Sequence, residues 1–135
     1  MTSNTFGQRF RRAARPASAF TKTTPPATTI YGRITAAVEE PKLKFGGAPG
    51  EVELDQAGQP VMQTVITLET GAGPRNLYVS WRMEQAIGQA MEAAGAEDFE
   101  IGATLSVTYT GPDPEYSRAR LFTAVYTPAA VSKGA

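Results

Sequence analysis

The sequence predicts an all-β domain that carries a single helix. Four segments alternate apolar and polar residues with period two, a fifth is an apolar run of strand length, and one segment places apolar residues at i, i+3, i+4, i+7, i+8 and i+11. A parallel α/β sheet fits less well, because it would need a helix at each crossover and only one is available.

The first strand runs from Ile30 to Val38, with Ile30, Gly32, Ile34, Ala36 and Val38 on one face and Tyr31, Arg33 and Thr35 on the other. A long connection from Glu39 to Pro60 follows, turning at Gly46-Gly47, Pro49-Gly50 and Asp55-Gln-Ala-Gly58, with Glu51-Val-Glu-Leu54 as a short segment able to pair inside it. Val61 to Thr70 is rich in β-branched residues and sets Met62, Thr64, Ile66 and Leu68 against Gln63, Val65 and Thr67. Gly71-Ala-Gly-Pro74 turns the chain into Arg75 to Trp81, where Leu77, Val79 and Trp81 alternate with Asn76, Tyr78 and Ser80, so these two runs form a hairpin. Trp81 is expected to pack, as a lid on one end of the fold, with a stacking role as the lesser alternative.

The period then changes. Met83, Ala86, Ile87, Ala90, Met91 and Ala94 make one apolar helical stripe, closed by Gly95 as C-cap. Thr104 to Thr110 alternates again with Leu105, Val107 and Tyr109 inward, Gly111-Pro112-Asp113-Pro114 forces a loop, and Ala119 to Tyr126 is a last strand, apolar on both faces. Three strands, a helix and two strands is the order of the OB-fold, a five-stranded, partly open Greek-key barrel. The barrel is expected over residues 30–128. Residues 1–29, rich in Thr, Ser, Ala and Arg, are expected to be a flexible, disordered basic tail, and 129–135 a second flexible tail.

Composition limits the chemistry. The 135 residues include 13 Lys plus Arg, 13 Asp plus Glu, and neither His nor Cys. There is no thiolate, no disulfide framework, no Cys-ligated metal and no imidazole base. The adjacent acids Glu39-Glu40 and Glu97-Asp98 are a weak catalytic signal, and no phosphate-cradling loop or nucleophile motif is present, so catalytic residues, metal and cofactor are all expected to be none. No apolar run is long enough to span a bilayer, and the N-terminus has no signal-peptide core, so no membrane partner is expected. The zero net charge hides an asymmetry: residues 1–28 carry +5, from Arg9, Arg11, Arg12, Arg15 and Lys22, and the remaining 107 carry −5.

An OB-fold locates a site without naming its ligand. Its usual binding surface is the face of the second and third strands with the loops after the first and fourth. There the sequence places Tyr31 and Arg33, Gln63 and Thr67, and Arg75, Tyr78 and Arg82. The long loop adds Lys42, Lys44 and Phe45, and the Pro/Gly loop adds Tyr116, Arg118 and Arg120. Aromatic rings that stack on bases, interleaved with cations that follow phosphates, are what single-stranded nucleic acid requires. Against this stand ordinary half-buried strand tyrosines, a Phe45 that anchors its loop and lysines that are merely solvated.

The residues also resemble a family. Gly32-Arg-Ile-Thr35, Gln59-Pro-Val-Met-Gln63 leading into Val65-Ile-Thr-Leu68, Asn76-Leu-Tyr-Val79, Gly102-Ala-Thr-Leu-Ser-Val-Thr-Tyr109 and Tyr126-Thr-Pro128 look like the small single-stranded DNA-binding proteins of actinobacterial phages, in register from Ile30 to Pro128. The specificity lies in the order and spacing of these segments. The resemblance implies an OB-fold protein that coats phage DNA during replication or recombination in the host bacterial cytoplasm. Two departures stand out. Ser80 replaces a Lys usual in that family, and the chain ends Val131-Ser-Lys-Gly-Ala, whereas bacterial single-stranded DNA-binding proteins end in an acidic, partner-recruiting tip.

The expectation is thus a largely sequence-independent binder of single-stranded DNA, with a homo-oligomer left open and no replication or recombination protein identified as partner. An OB-like adaptor whose basic tail docks on an acidic protein in a phage assembly is the alternative, and oligosaccharide recognition a more distant one.

Overall fold

The computed structural model describes residues 15–44, 46–116 and 119–129. In chain order the elements are β1 (Ala17–Ser18), β2 (Thr28–Pro41), β3 (Met62–Thr70), β4 (Gly73–Val79), α1 (Trp81–Ala93), β5 (Thr104–Pro112) and β6 (Arg120–Thr127). They form a mostly β protein with one helix and one mixed sheet, ordered β1-β4-β3-β2-β5-β6. The five longer strands are antiparallel neighbours, and β1 runs parallel to β4.

Two expectations are corrected. The described residues contain six strands where five were expected, and the sheet is open rather than a closed barrel, since its edges β1 and β6 are not paired. The reason lies in the segment expected to be a disordered tail. A free strand edge offers a row of unpaired backbone donors and acceptors, and Ala17–Ser18 takes the edge of β4 that a closing strand would need. The chain then crosses the opening as a strap. Ala19 N–H donates to Asn76 O at 2.8 Å, Phe20 packs against Phe122 of β6 with centroids 5.4 Å apart, Thr21 O accepts from Arg120 at 2.8 Å, and Ala27 N–H donates to Tyr109 O at 2.7 Å. Residues 1–14, with Arg9, Arg11 and Arg12, and residues 130–135 lie outside the described residues.

The core follows the alternation. Ile34, Leu68, Leu77, Leu105 and Val107 are fully buried, joined by Ile66, Ala103 and Tyr126 and covered by Met83, Ile87 and Ala90 of α1. Full burial of each large aliphatic side chain contributes about 1.5–3 kcal/mol. The helix ends as its sequence predicts: Gly95 takes φ +69°, its N–H donates to Glu92 O at 3.0 Å, and Ala96 N–H reaches back to Met91 O at 2.9 Å, a Schellman closure.

β2 is longer than expected because it pairs along its first half with β5 and along its second with β3. A bulge between Ile34 and Ala36 marks the change of partner and turns the following residues over, so Val38, expected inside, is 52% exposed. The long β2–β3 connection folds on itself, with isolated bridges Leu43–Val52 and Leu54–Pro60, as Glu51–Leu54 was expected to do.

Candidate nucleic-acid interface

A groove of about 670 Å³ opens where the strap, the start of α1 and the β5–β6 loop meet. Ser18 and Phe20 come from the strap, Tyr78 from β4, Ser80 to Met83 from the helix entry, Tyr116 and Ala119 from the loop, and Arg120 and Phe122 from β6. Its walls are aromatic and its charged groups are arginines.

Local structure explains the display. β4 ends at Val79, and Ser80, in extended conformation, accepts from Met83 N–H at 3.3 Å and so caps the helix. The strand alternation that would have turned Trp81 inward stops there. Trp81 becomes the first helical residue and is 54% exposed, correcting its expected role as a packed lid. Opposite it, Asp113 fixes the loop: its N–H donates to Ala119 O at 3.0 Å, and its Oδ1 accepts from Glu115 N–H at 2.8 Å. That turn presents Tyr116, 56% exposed, edge-on to Trp81 with centroids 6.5 Å apart.

Arg82 ties the two sides together. Its guanidinium carbon lies 4.0 Å from the Trp81 ring centroid and 5.7 Å from that of Tyr116. Nη2 stands 2.7 Å from Asp113 Oδ2, off the hydrogen-bond direction; Oδ2 and Arg82 Nε are both buried without a hydrogen-bond partner. The pair is therefore held by charge. Arg120 lies 4.9 Å over Tyr109 and donates to Thr21 O, and among the described residues no carboxylate pairs with it.

Four of the residues selected from sequence, Tyr78, Arg82, Tyr116 and Arg120, thus meet in one groove. The others lie elsewhere. Tyr31 and Arg33 sit on the outer face of β2, where Arg33 is directly opposite Glu69 of β3. Gln63 shares that face opposite Glu40. Arg75, paired with Leu68, belongs to the opposite face and donates to Pro74 O at 2.8 Å. Lys42 and Lys44 are engaged within the β2–β3 loop, 3.7 Å from Glu53 and 3.4 Å from Glu51. Phe45 and Arg118 lie outside the described residues.

The Glu51 carboxylate accepts from Ala48 N–H at 2.9 Å and from Lys44, and these contacts, the backbone one first, hold its pKa below the usual carboxylate value. Arg15 is pushed above its ordinary value, chiefly by its hydrogen bond to Glu40. Sequence reasoning missed Phe20 and Phe122, whose juxtaposition depends on the strap, and Asp113, whose only signal was its place in a Pro-flanked turn.

Fold and groove together define a small, mostly β protein with an aromatic and arginine-lined cleft at an opening of its sheet. No protein-family model, curated protein or solved structure matches the chain. Among the described residues no cluster of acidic side chains forms a metal site, and no helix is long and apolar enough to cross a membrane.

Proposed function

We propose that this protein binds single-stranded DNA, without strong sequence preference, in the groove between the helix entry and the β5–β6 loop. The observation that carries the proposal is the pair Trp81 and Tyr116, two large exposed aromatic rings at one cleft with Tyr78 and Arg120 beside them. Every base has a π-face, so such rings take unpaired bases of any sequence, each stack being worth about 1–3 kcal/mol, whereas the faces of paired bases are covered by their neighbours.

The strand order supports the finer fold behind this function. With β1 set aside, the long strands run β4-β3-β2-β5-β6 across the sheet and the helix joins β4 to β5, an order that supports reading it as an OB-fold opened between its third and fifth strands. In that fold the loop before the last strand borders the ligand, and here that loop supplies Tyr116. On the resemblance of residues 30–128, the strand it coats is phage DNA exposed during replication or recombination in the host cytoplasm.

The test is a titration of labelled oligo-dT and of a duplex of the same length, read by anisotropy at two salt concentrations and by intrinsic fluorescence. Trp81 is the only tryptophan in the chain, so its emission reports the groove alone. Preferential binding of the single strand with a change in Trp81 emission is expected. Equal or absent binding to the two forms overturns the function; single-strand binding that leaves Trp81 emission untouched moves the site elsewhere.

A further inference from the structure

We propose that Asp113 is a positioning residue that cancels the charge of Arg82, so that Arg82 offers the bound strand a flat stacking surface and makes no phosphate contact. The inference rests on the DNA-binding function proposed above and specifies how that site is charged.

Three features of the groove lead to it. Arg82 Nη2 is 2.7 Å from Asp113 Oδ2, and the Asp113 side chain is only 4% exposed, so the carboxylate is screened by protein rather than water. The Arg82 side chain, 24% exposed, places its guanidinium carbon 4.0 Å from the Trp81 ring centroid and 5.7 Å from that of Tyr116, which adds a planar group to the aromatic wall of the cleft. Arg120 lines the same groove with no carboxylate partner among the described residues. The two arginines therefore divide the work: Arg120 brings net charge, and Arg82 brings surface. Asp113 has a second hold on the site, because its Oδ1 and N–H shape the turn that carries Tyr116.

Counterion release turns this division into a measurement. Each phosphate neutralised on a single strand steepens the plot of log affinity against log salt by about 0.7. Asp113→Asn keeps an oxygen to accept from Glu115 N–H and sets a neutral amide NH2 where the charged oxygen faced Arg82, which releases the guanidinium from its counter-charge. Its expected effect is a slope steeper by about 0.7 and oligo-dT affinity raised severalfold at low salt. The double variant R82Q/D113N leaves neither charge buried alone. Its expected slope equals that of the wild type, with affinity lowered by the lost stacking surface.

A D113N slope equal to the wild type overturns the proposal, because Asp113 is then not what keeps Arg82 from a phosphate, and a double-variant slope shallower by about 0.7 overturns it because Arg82 then meets a phosphate in the native complex. Should D113N fail to fold, as judged by its thermal transition, the double variant still decides. Wild-type protein that does not bind oligo-dT at all overturns the underlying function, an outcome distinct from a bound complex with the wrong slope.

Discussion

Arg15 Nη2 donates to both carboxylate oxygens of Glu40, at 3.0 Å each, and so fastens the chain just before β1 to the outer face of β2. The contact is one of several. Ser18 pairs with Asn76 of β4 and Phe20 packs against Phe122 of β6, so one short segment touches three strands around the opening of the sheet. It also lines the groove.

The ion pair and the strap separate in their expected effects. An exposed pair contributes about 0.2–1 kcal/mol, and Arg15→Ala is expected to lower stability by no more than that. The elevated pKa of Arg15 keeps it charged at every working pH, because a raised cationic group loses its contribution only as pH climbs through that raised value. A chain beginning at Thr28 loses Ser18, Phe20 and the β4 edge pairing together. Such a chain is expected to bind oligo-dT at least about tenfold more weakly, as loss of roughly 1.4 kcal/mol implies. Thermal unfolding and anisotropy on the two variants check both statements, and a truncated chain with wild-type affinity removes the strap from the site.

Trp81 and Tyr116 are expected to be costly for binding and cheap for folding. Both are more than half exposed, so Trp81→Ala or Tyr116→Ala is expected to shift the thermal midpoint little while weakening oligo-dT binding by about 1–3 kcal/mol each. Tyr31→Ala and Arg33→Ala, whose residues stand on the outer face of β2 away from the groove, are expected to leave affinity near wild type. The reverse pattern moves the site to the sheet face.

Much of this fold was legible in the sequence, and the failures have physical causes. The stripe from Met83 to Ala94 and its closure at Gly95 were legible because helix periodicity and a left-handed C-cap are local. Leu105, Val107 and Tyr109 were legible because β5 has no interruption before Gly111. Val38 was misplaced because one extra residue at the Ile34/Ala36 bulge inverts everything after it, and nothing in Ile-Thr-Ala announces the bulge. Ala17–Ser18 carries no pattern at all; its pairing is dictated by the vacant edge of β4 far along the chain. The site was half legible for the same reason. Residue types identified Tyr78, Arg82, Tyr116 and Arg120, but Trp81 looked like a strand residue until the Ser80 cap ended the alternation.

Gly32 is required by a close approach. A Cβ built there lies 2.4 Å from Glu69 O and 2.9 Å from its carbonyl carbon, both backbone atoms of the neighbouring strand. Gly32→Ala therefore has to part β2 from β3 near the bulge, and overpacking of this kind costs about 1–3 kcal/mol. Urea denaturation is expected to show that loss with an unchanged slope. Gly71 and Gly88, where an added Cβ meets nothing within 4 Å, are the controls, expected to tolerate alanine.

The tip of the β2–β3 loop is expected to loosen in acid before the domain does. Glu51 accepts from Ala48 N–H and Lys44, and its pKa is depressed in the folded state. A depressed carboxylate contributes above its unfolded value, about 4.3, and the contribution disappears as pH falls through the lower folded value. Ala48 amide exchange is therefore expected to lose protection as pH falls below that range, once the intrinsic pH dependence of exchange is divided out. Glu51→Gln is expected to show the lowered protection already at neutral pH and no further loss in acid, while leaving the global transition in place, because Glu51 is exposed and the core lies elsewhere. Protection of Ala48 that is identical in the wild type and the variant across the whole range means that the carboxylate does not order the loop.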